Sequence, residues 1–363
     1  MSNKKDIVHY NIDNLVSKNA DINIIWGERS NGKSYQVKHK RAIINYLNTG
    51  NRFMYVRRLR EEVTAEKVEQ YFQDVDIEKL TEGKYNCITV YRRAIYLSKL
   101  GDDGKIHRGE KVGYCIALST EQNYAGGSFL DVSDIIYEEF MSRSTYLYPH
   151  EPDKLMNLYA TVDRKRHTTK LWMVGNTISR VCPYLYDWGL HNIIARQKQG
   201  TIEEVEIDAS DDDKVKIAIE YCKSTGVSSH TIGFNKDMIN IGSWQSEPQP
   251  HLPKSINEYN SKFRLIFMYQ QFKFIGELLV DKKTNEVVWF IYPYDGEIDD
   301  KTLVISDQVT PSPLYQRNIY DLSINNDRLR RVIYDTFREQ NIFYASDLVG
   351  TDFKQVIDFS IRR

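Results

Sequence analysis

Residues 21–34, Asp-Ile-Asn-Ile-Ile-Trp-Gly-Glu-Arg-Ser-Asn-Gly-Lys-Ser, decide how this chain reads. Residues 21–26 are apolar enough for a short buried strand, and the eight that follow, Gly27, Glu28, Arg29, Ser30, Asn31, Gly32, Lys33 and Ser34, fit the pattern GxxxxGK[S/T] in full. Behind them Tyr35, Val37, Ala42, Ile43, Ile44 and Leu47 recur at roughly helical spacing, and Gly50 stands where a left-handed C-terminal cap is wanted. A loop of this kind between a strand and a helix cradles phosphates. Its glycines let backbone N–H groups turn inward, and the helix N-terminus adds partial positive charge. Lys33 then reaches the terminal phosphates of a nucleoside triphosphate such as ATP, and the Ser34 hydroxyl ligates Mg2+. An ordinary Gly-rich turn would account for the glycines alone, but a full match arises by chance in only about one chain in a hundred of this length.

Outward from the loop, residues 52–57 read as a second strand and 61–72 as a helix, with Val63, Val68 and Phe72 as core contacts. Two strand-rich segments, 85–100 and 111–118, flank a Gly- and Asp-containing turn and suggest a hairpin insertion. Residues 132–140 are an apolar strand ending in adjacent carboxylates, 153–161 are helical, and 171–174 form a further strand. This alternation predicts an α/β fold with a mostly parallel sheet and helices on both faces.

The net charge of −1 hides a split, because residues 1–200 hold 30 Lys and Arg against 24 Asp and Glu, while the remainder holds 19 against 26. Residues 201–213 carry seven carboxylates and no base, a stretch whose self-repulsion resists burial. A domain border is therefore expected at residue 200, with 201–256 as a linker region containing a helix at 215–222 and a Pro-rich polar run at 243–256. Residues 257–363 form a smaller α+β domain, with three successive strands (263–267, 272–280 and 287–292) covered by helices at 328–340 and 351–359. The composition, 41% hydrophobic and 27% charged, excludes collagen-like and wholly disordered chains. With no apolar run of membrane-helix length and no apolar segment at the start, a cytosolic protein without a membrane partner is expected. The four cysteines never form CxxC, so neither a zinc ribbon nor a disulfide framework is indicated.

A triphosphate loop needs an acidic element to organise Mg2+ and the attacking water, and the strand end Glu138-Glu139 offers it. Glu138 would hold the metal through water, and Glu139 would orient or deprotonate the nucleophile; the plain alternative is two glutamates on a solvated strand edge. The usual metal-side residue is Asp, so the extra methylene of Glu138 raises the question of how its carboxylate stands to Ser34. Asn176, at the tip of the 171–174 strand, could sense the γ-phosphate or serve only as a turn residue. The basic run 161–167 reads either as a solvated helix end or as the source of an arginine finger, an effect worth roughly 10³ to 10⁵ in rate. Arg57, Arg58 and Arg60, together with Arg143 beside Tyr146 and Tyr148, could track a DNA backbone or be plain surface bases.

The order of these elements resembles the DNA encapsidation proteins, the genome-packaging ATPases of small phi29-type tailed phages. FMYVRR at 53–58, VSDIIYEEF at 132–140, VDRKRH at 162–167 and MVGNTISRVCPYL at 173–185 carry the resemblance, which covers residues 1 to about 195 and, more loosely, 260–350. It implies a RecA-like core of the additional-strand, catalytic-glutamate (ASCE) class. It also implies a homomeric ring, a pentamer, hydrolysing ATP at subunit interfaces to draw double-stranded DNA into a procapsid through the portal in the host bacterial cytoplasm, with a scaffold RNA as a further partner. Counting back from Asn176, the trans-acting arginine falls on Arg164, with Arg166 a near neighbour, while the second basic residue of some relatives is replaced by the stretch 124–127. The C-terminal domain would be a degenerate RNase H-like nuclease fold. Asp281, Asp295, Asp299 and Asp300 lie on or near its strands without the spacing of a metal triad, so nuclease activity is not expected. A P-loop kinase or GTPase-like switch is the competing reading, against which the guanine-selecting NKxD is absent: Asn235-Lys236-Asp237-Met238 has its acid one place early. A non-enzymatic capsid or portal adaptor would leave Lys33 and Glu139 unexplained.

Overall fold

Ile22–Gly27, buried along its whole length, is strand β1 of a nine-stranded sheet in the computed structural model. The described residues are 10–142, 146–147, 151–210, 213–226, 243–244, 246–269, 272–306, 315–316, 319, 328–338 and 341–361. They fall into two compact units. The first takes the residues up to Ile178, those from Cys182 to Gly226, and Ser243; the second takes Ser179–Val181 and those from Trp244 onward.

In the first unit the remaining strands are β2 (Arg52–Arg57), β3 (Cys87–Tyr91), β4 (Ala94–Leu100), β5 (Ile106–Ala117), β6 (Val132–Glu138), β7 (Lys170–Asn176), β8 (Ile202–Ser210) and β9 (Asp213–Tyr221). Their order is β3-β4-β5-β2-β6-β7-β1-β9-β8. β5, β2, β6, β7, β1 and β9 run parallel, and the two ends are antiparallel additions. β7 therefore separates the loop strand β1 from the acidic strand β6, which is the additional strand the sequence implied. Behind the loop, Lys33–Gln36 continues through a π-helical stretch, Val37–Ile44, into Asn45–Thr49. Gly50 ends it at φ 74°, the left-handed cap expected there. Val37, Ala42 and Ile43 pack with Phe53, Tyr55 and Phe72 in one core, each large side chain stabilising by about 1.5–3 kcal/mol. The expected hairpin insertion is three strands, because the chain also turns sharply at Arg92-Arg93.

The border expected at residue 200 is corrected by β8 and β9, which continue the same sheet. β8 is an edge strand. Glu203, Glu204, Glu206 and Asp208 stay in water while Ile202 packs on the core, so the acidic run needs no burial, and edge charge discourages pairing with other chains. Hydrogen bonds from Lys18 and Lys216 bring the Glu204 carboxyl down to about 2. The helix expected at 215–222 is strand β9. Wedged between β1 and β8, it buries Ile217, Ala218 and Ile219 consecutively, and a strand covered on both faces loses the alternation that distinguishes it from a buried helix.

The second unit holds β10 (Tyr259–Tyr269), β11 (Phe272–Asp281), β12 (Val287–Pro293), β13 (Leu303–Ser306), β14 (Tyr315–Gln316) and β15 (Ile342–Tyr344), ordered β14-β13-β10-β11-β12-β15. β10, β11 and β12 are the expected antiparallel trio, and β13, β14 and β15 each run parallel to a neighbour. Helices Arg328–Arg338 and Asp347–Ile361 cover the sheet. Phe353 meets Phe267 edge-on at 4.9 Å and Phe274 at 5.5 Å.

Candidate nucleotide site

The loop after β1 turns through Ser30 at φ 59° and Gly32 at φ 96°. A side chain at Gly32 would be strained there whatever the space, so glycine is what lets the following helix start with its N–H groups facing inward. Lys33 is buried, 4% exposed, with Nζ donating to the Glu28 carbonyl at 2.5 Å and to the side-chain oxygens of Asn31 and Asn176 at 3.2 Å each. Burial pulls its pKa down, with the nearby Glu138 and Glu28 carboxylates opposing. An incoming triphosphate would offer this ammonium the anionic partner its neutral acceptors lack. The Glu28 side chain faces away from the ligand space, accepting from the Ser224 hydroxyl at 2.7 Å and the Thr225 amide at 2.6 Å. It secures the loop to the segment after β9.

Glu138, the last residue of β6, is 4% exposed. One oxygen accepts from Ser34 Oγ at 3.0 Å, so the longer side chain does reach the loop serine. The other accepts from the Tyr71 hydroxyl at 2.6 Å. Burial raises the Glu138 pKa, and the Tyr71 and Ser34 hydrogen bonds act against that rise. A hydroxyl and a carboxylate, both hard oxygen donors, suit Mg2+, which keeps several waters and takes its remaining ligands from substrate phosphates. Tyr71, on the helix Ala65–Phe72, was missed by sequence reasoning; only Val68 and Phe72 of that helix carried a periodic signal.

Glu139 sits just beyond the strand at φ 58°, half-exposed at the rim of the same cleft. Its carboxylate meets Arg57 at 2.7 Å, and Arg57 also meets Glu62 at 2.8 Å. Asn176 ends β7 opposite Gly27 in the register. The cleft, about 710 Å³, is lined by residues 29–36 with Tyr10, Lys38, Asp74, Glu139 and Asn176.

The DNA candidates separate. Arg57 is committed to the two glutamates. Arg58 contradicts a DNA role, because it is buried with Nε on both oxygens of Glu151 at 3.0 and 2.8 Å and its terminal nitrogens on the carbonyls of Glu139 at 3.3 Å and Phe140 at 2.7 Å. Glu151 also accepts from the Tyr137 and Tyr184 hydroxyls at 2.7 Å each, so this buried network fixes the turn that carries Glu139. Arg60 is exposed, and Arg143 lies outside the described residues.

Arg164, at φ 50° just after the helix Glu151–Asp163, donates to the carbonyls of Gly126 and Gly127. Arg166 holds the carbonyls of Leu130, Val132, Val162 and Asp163, a fastening at the start of β6. Both stand where β6 and β7 begin, while Lys33, Glu138 and Asn176 stand where strands end. Seven residues of strand separate the two edges by roughly 20 Å. In the second unit the four aspartates do not converge. Asp281 accepts from the amides of Lys283 and Thr284 and pairs with Lys254; Asp299 caps a turn through the Lys301 amide; Asp295 and Asp300 are exposed.

A phosphate loop after β1, an acidic pair two strands away and a polar tip on the strand between them define an additional-strand P-loop NTPase. The chain belongs to the Podovirus DNA encapsidation protein (Gp16) family, whose profile matches residues 4–220. It is 32% identical over 184 residues to the DNA packaging protein of Bacillus phage phi29, a match covering 50% of each chain. To the DNA packaging protein of Bacillus phage B103 it is 31% identical over 184 residues, covering 48% of this chain and 50% of that one. The chain thus spans about half the length of the curated relatives it matches. The bacteriophage phi29 viral genome packaging motor assembly holds a chain of the same fold, with TM-score 0.58 and 22% identity over 96% of this chain and 99% of that one.

Proposed function

We propose that this chain is an ATP-driven motor subunit that moves double-stranded DNA into a phage procapsid. The observation that carries the reading is the convergence of Lys33, Ser34 and Asn176 on one cleft, with Glu138 bonded to Ser34 and Glu139 at the rim. Ser34 and Glu138 would hold Mg2+, which would supply charge neutralisation to the transferring group. Lys33 binds the terminal phosphates, Asn176 holds Lys33 and senses the γ-phosphate, and Glu139 takes a proton from, or orients, the attacking water. Arg57 meets one oxygen of the Glu139 carboxylate, and the other is the one that would accept from the water.

Arg164 stands at the wrong edge of the sheet to serve its own cleft, which supports its action on a neighbouring copy in a homomeric ring, a pentamer by family resemblance. The portal of the procapsid and a scaffold RNA are the further partners of this reading. Arg60, exposed, and Arg143 are the DNA contacts it retains. The antiparallel trio followed by parallel strands supports an RNase H-like C-terminal unit, and the dispersed aspartates support its lacking nuclease activity. ATPase activity stimulated by duplex DNA and lost in Lys33→Ala is the expected result. Phosphoryl transfer to a small molecule, or hydrolysis indifferent to DNA, would refute the motor reading.

A further inference from the structure

We propose that the hairpin turn between β3 and β4, with Arg108 from β5, is a surface that grips duplex DNA through its phosphates. The inference rests on the DNA-translocating reading above and adds residues to it.

Tyr91 pairs with Ala94 across a two-residue turn whose central residues, Arg92 and Arg93, both have positive φ, 48° and 65°. Hairpin turns of this hand favour Asn-Gly, because a Cβ is strained there. Two arginines at such positions oppose the folding preference of the turn, and strain of this kind concentrates at functional sites. Arg93 is anchored, its carbonyl accepting from the Cys115 amide at 2.9 Å and its guanidinium donating to the Tyr124 hydroxyl. Arg92 is left exposed. The Tyr91 ring, 42% exposed, carries Arg92 at 5.1 Å from its centroid and Arg108 at 4.1 Å. Among the described residues neither Arg92 nor Arg108 has a carboxylate partner. The nearby Glu110 is taken by Lys84 and Tyr46, and Asp131 by Arg52.

Two guanidiniums braced on an exposed ring, with no acid to satisfy them, present donors to a polyanion at low ordering cost. Because β3 runs in the same direction as β5, the turn lies on the edge of the sheet where β2 also ends, and exposed Arg60 follows there. Arg92 and Arg60 thus stand on the same edge of the sheet, and cations spread in this way suit a backbone-tracking duplex better than a compact acidic peptide.

The test measures binding of the full chain to a labelled mixed-sequence DNA duplex across a salt series. The double variant Arg92→Asn with Arg108→Gln should lose about tenfold in affinity, and its log affinity against log salt should become shallower by about 2, near one unit for each lost phosphate contact. Thermal unfolding should occur no lower than in the parent, since Asn tolerates the left-handed turn. Lys105→Gln, at the opposite turn of the same insertion, should leave binding unchanged. Unaltered affinity and slope in the folded double variant, an equal loss in Lys105→Gln, or a loss confined to duplex RNA or to an acidic peptide would overturn the proposal. If the parent binds no duplex DNA, the motor reading fails with it; if the parent binds and the double variant binds equally, this inference alone fails.

Discussion

The two edges of the parallel sheet in the first unit differ in what they hold. Where β1, β6 and β7 end, Lys33, Ser34, Glu139 and Asn176 line one cleft, and the buried Glu138 accepts from Ser34 beside it. Where β6 and β7 begin, Arg166 is held by four backbone carbonyls, while the exposed Arg164 donates, among the described residues, to two. In the proposed reading the ending edge binds and polarises the nucleotide, and the starting edge delivers Arg164 to a neighbouring copy. On that reading one copy holds the two halves of a shared site about one strand length apart.

The strongest way to break this contrast is to remove the delivered cation. Arg164→Ala should lower ATP turnover about 10³-fold with ATP binding retained. Mixing Arg164→Ala chains with Glu139→Gln chains should recover part of the lost activity, because some interfaces then hold an intact pair; no recovery at any ratio would mean that Arg164 does not act across copies. Arg166→Ala is expected instead to lower the unfolding temperature, since its hydrogen bonds are structural. On the opposite edge, Glu139→Gln alone should cost about 10²-fold or more in hydrolysis while ATP affinity stays within a few-fold. Equal losses of binding and turnover would place Glu139 in ground-state contact instead.

Tyr71→Phe is a smaller and sharper probe. It removes one hydrogen bond to Glu138, so the Mg2+ concentration for half-maximal ATPase should rise up to about tenfold with little effect on saturated turnover. The smallest effect is one of pH. Burial lowers the Lys33 pKa in the empty cleft, and a bound phosphate favours the charged form, so ATP binding should take up a proton at alkaline pH and weaken as pH rises past that lowered value. Titrations in buffers of different ionisation enthalpy read the proton directly; zero uptake across the alkaline range would argue against Lys33 as the phosphate ligand.

Contiguity governed what could be read in advance. The phosphate loop was legible because eight adjacent residues carry it, and Glu138-Glu139 because a strand's end is visible in its polarity. The extra methylene of Glu138 posed a question that only its contact with Ser34 in the folded chain answered. Arg58 looked like its neighbours in sequence; its burial depends on Glu151, which is 93 residues away. Tyr71 offered no periodic signal, since one hydroxyl among apolar helix residues reads as core. The β8–β9 hairpin is hidden in the sequence for two opposite reasons: an edge strand tolerates more charge than a core strand, and a strand buried on both faces resembles a helix.

Titration calorimetry of the full chain with Mg-ATP tests the central claim most directly. The purified protein should bind one ATP per chain and Lys33→Ala should bind none detectably; folded, active-looking protein that takes up no adenine nucleotide, or a Lys33→Ala chain that binds as tightly as its parent, would contradict it.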